Sequence, residues 1–82
     1  MLLNEMIQSV SVNQKIRVLL TYDICDDGFA YKFDGWPEDV ADAIKETEIK
    51  NDENLMGSDV EFIRASILDN TNYITIVGLI NN

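Results

Sequence analysis

Histidine is missing from this 82-residue sequence, and cysteine and proline occur once each, as Cys25 and Pro37. Without imidazole there is no Ser-His or Cys-His nucleophile pair and no histidine metal ligand. A lone thiol cannot close an intramolecular disulfide, which fits a reducing cytoplasm. Asp23, Asp26 and Asp27 surround Cys25, and their charge disfavours the thiolate, so no catalytic role is expected of it. The glycines, at 28, 35, 57 and 78, form no phosphate-binding loop. No apolar run approaches the roughly 18–20 residues of a membrane span. The opening MLLNEMIQSV has no basic stretch, and Asn4 and Glu5 interrupt its apolar residues, so a signal peptide is not expected there.

Basic residues are scarce as well: 6 against 15 acids, a formal net charge of −9. Thirteen of the acids and only three bases (Lys32, Lys45, Lys50) lie between Asp23 and Glu61, a net −10. Such a field repels phosphate backbones and anionic lipid and attracts basic surfaces, so direct nucleic-acid or membrane binding is not expected. No acid sits in an apolar setting that would tune it for catalysis, and a chain of this size has little room for a deep cleft. A non-enzymatic protein without a cofactor is the expectation.

What is present reads as one α+β domain over residues 1–82. Leu3, Met6, Ile7 and Val10 follow the i, i+3, i+4, i+7 spacing of an amphipathic helix that should end near Ser9. KIRVLLTYD alternates, with Ile16, Val18, Leu20 and Tyr22 on one face and Lys15, Arg17 and Thr21 on the other, the pattern of a strand. FAYKFD alternates too. GWPEDVADAIKETEIK carries a proline suited to a first helical position, acids at the helix start and Lys45 and Lys50 toward its end. VEFIRASIL and YITIVGLI follow as strands around the turn DNTN, with Leu55 and Met56 tucked under the preceding loop. The last strand is apolar on both faces and belongs in the centre of a sheet or against a partner. The order α-β-β-α-β-β predicts a four-stranded, mostly antiparallel sheet with both helices on one face. Tyr22, Phe29, Phe33, Val40, Ile44, Phe62, Ile74 and Ile76 are expected to be largely buried.

DICDDGFAYKFD, Asp23 to Asp34, has Asp, Asp, Gly and Asp at the first, fifth, sixth and twelfth positions, as a calcium-binding EF-hand loop would. Its flanks have the period of strands rather than helices. Its third ligand position is a soft thiol and its twelfth is the shorter aspartate. A hairpin turned by Asp-Gly is therefore predicted, and no metal site.

A binding module remains. Glu38, Asp42 and Glu46 recur at i+4 as a row of like charge along the second helix. Asp26 and Asp27 in the turn, Asp34, Asp39, and Asp52 with Glu53 in the following loop would add to it. Together these nine acids are the candidate surface for a basic protein partner. The stretch LNEMIQSVSVNQKIRV resembles the start of small proteins encoded on phages and other mobile elements of Gram-positive bacteria. In them a short helix with E-M-[IL] leads into a strand resembling K-[IV]-R-V. The likeness covers the opening of the chain, is vaguer in the closing hairpin, and does not reach the acidic middle. It implies an anti-defence protein of the anti-CRISPR kind, which would block the basic nucleic-acid-binding surface of a nuclease, and it assigns no functional residue. The alternative is a cellular interaction module such as an immunity protein or antitoxin-like partner, and calcium binding ranks third.

Overall fold

The computed structural model describes residues 1–23 and 28–81. Its elements run α1 (Leu3–Ser9), β1 (Ile16–Thr21), β2 (Tyr31–Gly35), α2 (Pro37–Asn51), β3 (Asp59–Leu68) and β4 (Thr71–Leu79). The four strands form one mixed sheet in the order β2-β1-β4-β3. β1 pairs antiparallel with β2, and β3 with β4, while the central pair β1 and β4 is parallel. The expected α+β architecture is therefore present, with β4 at the centre of the sheet.

The ends of each element have local causes. Glu5 reaches back to accept the amide of Leu2 at 2.9 Å, satisfying a donor left over at the start of α1. Pro37 opens α2, where its missing N–H costs nothing, and Glu38 and Asp39 oppose the positive helix start. Asp52 closes α2 in the left-handed conformation (φ 52°). Asp69 and Asn70 both have positive φ (49° and 62°) between the paired Leu68 and Thr71. The loop is thus a two-residue hairpin turn of the kind that suits twisted strands. It is tighter than the DNTN turn expected, and Asn72 lies inside β4.

Both helices lie on one face of the sheet. Leu3 and Ile7 from α1, Val40 and Ile44 from α2, Ile16, Val18 and Leu20 from β1, Ile76 from β4 and Leu55 from the α2–β3 loop form the buried core. Phe33, Met56 and Ile74 pack against it, half-buried. Three residues expected inside are exposed. Tyr22 follows the end of β1 and Phe29 precedes β2, so the sheet does not hold them against the helices. Phe62 is 48% exposed because β3 is an edge strand and the residue pairs with Val77 on the face without helices. Thr21, expected outside, is buried against the neighbouring central strand.

Candidate functional site

α2 positions the acidic row by burying its opposite side. Pro37, Val40 and Ile44 face the sheet, so Glu38, Asp39, Asp42 and Glu46 are left exposed. At a rise of 1.5 Å per residue, Glu38 to Glu46 span about 12 Å of helix. Among the described residues no lysine or arginine forms a salt bridge with these four acids. Lys45 and Lys50 share the helix and dilute its charge without neutralising it. Asp52 continues the exposed acidic surface past the end of α2.

The other candidates separate from this row. Asp34 stands beside Arg17 in the β1–β2 register, one residue out of phase with Phe33 and Val18. Its side chain is therefore on the sheet face away from the helices, and it does not join α2. Glu53 is half-buried and already bonded: the hydroxyls of Tyr22 (2.6 Å) and Tyr31 (3.1 Å) both donate to its carboxylate. That hydrogen bond, with a second from Tyr31 and some desolvation, raises the Tyr22 phenol above its ordinary value. Asp26 and Asp27 lie outside the described residues.

Glu48 was not singled out by sequence, yet it is the acid most clearly tied to structure. Its Oε2 accepts the backbone amides of Leu55 (2.7 Å) and Met56 (2.9 Å), clamping the loop that carries Leu55 into the core. A shallow surface hollow of about 540 Å³ lies beside it, lined by Glu48, Ile49, Asp52, Glu53 and Asn54.

The sheet face opposite the helices is the more basic one, although Asp34 and Asp59 also lie on it. Reading across the strands, one row runs Asp34, Arg17, Thr75, Arg64 and the next Lys32, Leu19, Val77, Phe62. At the end of this face the Lys15 ammonium stands 5.2 Å from the ring centre of Trp36 and 6.0 Å from that of Tyr73. Four of the six basic residues thus gather on the side that faces away from α2. The alternation of Lys15 and Arg17 hinted at this, but only strand register brings Lys32 and Arg64 beside them.

β1 ends just before the 23–34 segment and β2 begins within it, the two pairing antiparallel where an EF-hand would have helices on both sides; Asp27 of the Asp27-Gly28 turn itself lies outside the described residues. Among the described residues no group of three His, Cys, Asp or Glu side chains is placed to hold a metal ion. No helix among the described residues is long and apolar enough to cross a membrane. No family model, no curated protein and no solved structure matches the chain.

Proposed function

We propose that this protein is a binding inhibitor whose helix side engages a basic protein surface, and that the partner is a nucleic-acid-binding nuclease of a defence system. The observation that supports this reading is the segregation of charge. Glu38, Asp39, Asp42, Glu46 and Asp52 are exposed on and just beyond α2, while Lys15, Arg17, Lys32 and Arg64 lie on the far side of the sheet. A basic surface meeting α2 therefore encounters few cations of its own sign. Carboxylates at i+4 on a helix are about 6 Å apart along its axis. That is sparser than a phosphate strand, at roughly 3.4 Å per charge. Imitation of a nucleic-acid backbone thus needs Asp39 and Asp52 in addition to the row. On this reading Asp34 and Glu53 leave the binding surface, one by position and the other by its bonds to tyrosine.

The test is displacement of DNA or guide RNA from a candidate nuclease across a salt series. Changing Glu38, Asp42 and Glu46 to lysine brings the net charge from −9 to −3. Changing Asp34, Glu61 and Asp69 to lysine gives the same net charge on other surfaces. Glu5 is unsuitable as a control because it caps α1. Desolvated interfacial charge pairs couple by about 1.5–7 kcal/mol and rim pairs by less, so the helix triple should weaken inhibition by tenfold or more. The inhibition should also fall as salt shortens the roughly 10 Å screening length at 0.1 M. Equal behaviour of the two triples, in proteins with unchanged circular dichroism, would remove the support for this reading.

A further inference from the structure

The two edges of the sheet are unlike. β2 is five residues long, and its outward alternation presents Lys32 and Asp34. Short, charged edges resist pairing with other chains. β3 is ten residues long and pairs with β4 on one side. Its start is covered on the other side: Met1 accepts the amide of Val60 at 2.9 Å, and Leu2 bridges Asp59. Beyond the irregularity between Val60 and Phe62, nothing among the described residues covers that edge. The stretch Phe62–Leu68 holds four large exposed apolar side chains, Phe62, Ile63, Ile67 (73% exposed) and Leu68, with the small Ala65 at its middle, and a single charge, Arg64.

We infer that this edge pairs with the same edge of a second copy, antiparallel, with a two-fold axis at Ala65, to make one eight-stranded sheet. The sequence of β3 is self-complementary about that residue. An axis there sets Ile63 against Ile67 of the second copy on the helix side of the sheet. On the other side it sets Phe62 against Leu68, and Arg64 against Ser66. Every exposed apolar residue of the edge then meets an apolar one, which is the favourable kind of cross-strand pair. Neighbouring registers are worse. An axis at Arg64 opposes two guanidinium groups, and an axis at Ile63 carries the pairing into the irregularity at Glu61 and onto the part of the edge that Met1 and Leu2 already cover.

Charge opposes self-association least at this edge. Two chains of −9 repel, and Phe62–Leu68 is a region where neither presents an acid. Glu61 and Asp69 meet only at the ends of the paired stretch, in water, where salt screens them. Even complete burial of the exposed parts of these four apolar side chains and the backbone between them would cover at most on the order of 1,000 Å², the weak end of specific interfaces. The dimer is therefore concentration-dependent, and it tightens as salt rises. That is the opposite of the salt response expected at the acidic helix, so the two interactions are separable.

Sedimentation velocity across a concentration series is the first test, and it should show a monomer–dimer equilibrium shifted toward dimer by added salt. Ile67→Lys should shift that equilibrium at least tenfold toward monomer. Ile49→Lys, an equally exposed change on α2, should leave it unchanged. Both sites are exposed, so both variants should keep the circular dichroism of the parent. The register has its own test, Ala65→Cys in a Cys25→Ser background. Facing residues of an antiparallel pair lie about 4.5–5.5 Å apart at Cα, within disulfide range. Mild oxidation should cross-link this variant through the two-fold much faster than Thr71→Cys in the same background. A chain that stays monomeric at every concentration, or equal cross-linking at the two positions, would overturn the inference.

Discussion

Replacing Glu48 by alanine should destabilise the protein more than replacing any other acid on α2. The side chain is half-buried, and one of its oxygens accepts two backbone amides, at 2.7 and 2.9 Å. Hydrogen bonds to a charged group contribute about 1.5–3 kcal/mol each, and partial exposure places these toward the lower end. Alanine recovers a few tenths of a kcal/mol through helix propensity. The expected loss is about 2–4 kcal/mol, a large part of the roughly 4–12 kcal/mol typical for a chain of 82 residues. Glutamine keeps an acceptor oxygen without the charge, so Glu48→Gln should lose about half as much. Urea denaturation measures both through the midpoint, the slope being unchanged if the native state stays compact. Hydrogen exchange adds a local readout, because the amides of Leu55 and Met56 should lose protection in the alanine variant before the strands do. Exposed Glu46→Ala should stay within about 0.5 kcal/mol of the parent. If Glu48→Ala does the same, the clamp contributes nothing and the loop is held by Leu55 in the core and by the amides of Leu3 and Asn4, which donate to Ser58 and Met56.

Three further outcomes follow from the same geometry. The neutral Tyr22 phenol is favoured in the folded state, so its stabilising contribution is present below the unfolded value of about 10 and is lost as pH rises above it. Glu53→Gln should return the ultraviolet titration of Tyr22 toward that of free tyrosine, and an unchanged titration would show that the carboxylate is not the cause. Gly78→Ala places a new carbon 2.8 Å from Cδ2 of the fully buried Leu20 and 3.4 Å from the Asp59 carbonyl, and should cost about 1–3 kcal/mol in denaturation through overpacking. The Ser58 hydroxyl is buried without a hydrogen-bond partner among the described residues, so Ser58→Ala should leave stability unchanged or raise it by up to about 1 kcal/mol. A clear loss would mean that the hydroxyl has a partner, such as a buried water.

The elements were readable because each carries its own local signal. Pro37 with the acids after it marks the start of α2, and the stripe Leu3, Ile7 with half-buried Met6 and Val10 marks α1. Alternation assigned the faces of β1 correctly, as Ile16, Val18 and Leu20 show, but it fails in β3, where the irregularity between Val60 and Phe62 turns Phe62 to the face without helices. It says nothing about which strand is the neighbour. Phe62 was therefore expected inside, when membership of an edge strand leaves it exposed. Asp34 was grouped with α2 by nearness in sequence, although the pleat turns it to the other face of the sheet. Glu48 and Glu53 look alike in a run of acids. Only tertiary structure distinguishes them from the α2 row, since their partners, the amides of Leu55 and Met56 and the tyrosines of the β1–β2 hairpin, come from other elements.

The parallel pairing of β1 with β4 has a consequence for how the chain acquires its structure. The two hairpins, β1–β2 and β3–β4, are local and can begin to form early, but an isolated two-stranded hairpin is marginal in water. The seam that unites them joins distant positions: Gln14 donates to the Asn72 carbonyl across 58 residues, and Thr21 accepts the amide of Ile80 at 2.8 Å. Closing that distance costs entropy before any seam contact forms, so folding should be slower than in a helical protein of this length. During synthesis β1 emerges long before β4, and its Ile16, Val18 and Leu20 must wait for the last strand. A ribosome stalled before Thr71 would therefore hold a chain with half its sheet unformed and its core open to proteases or chaperones.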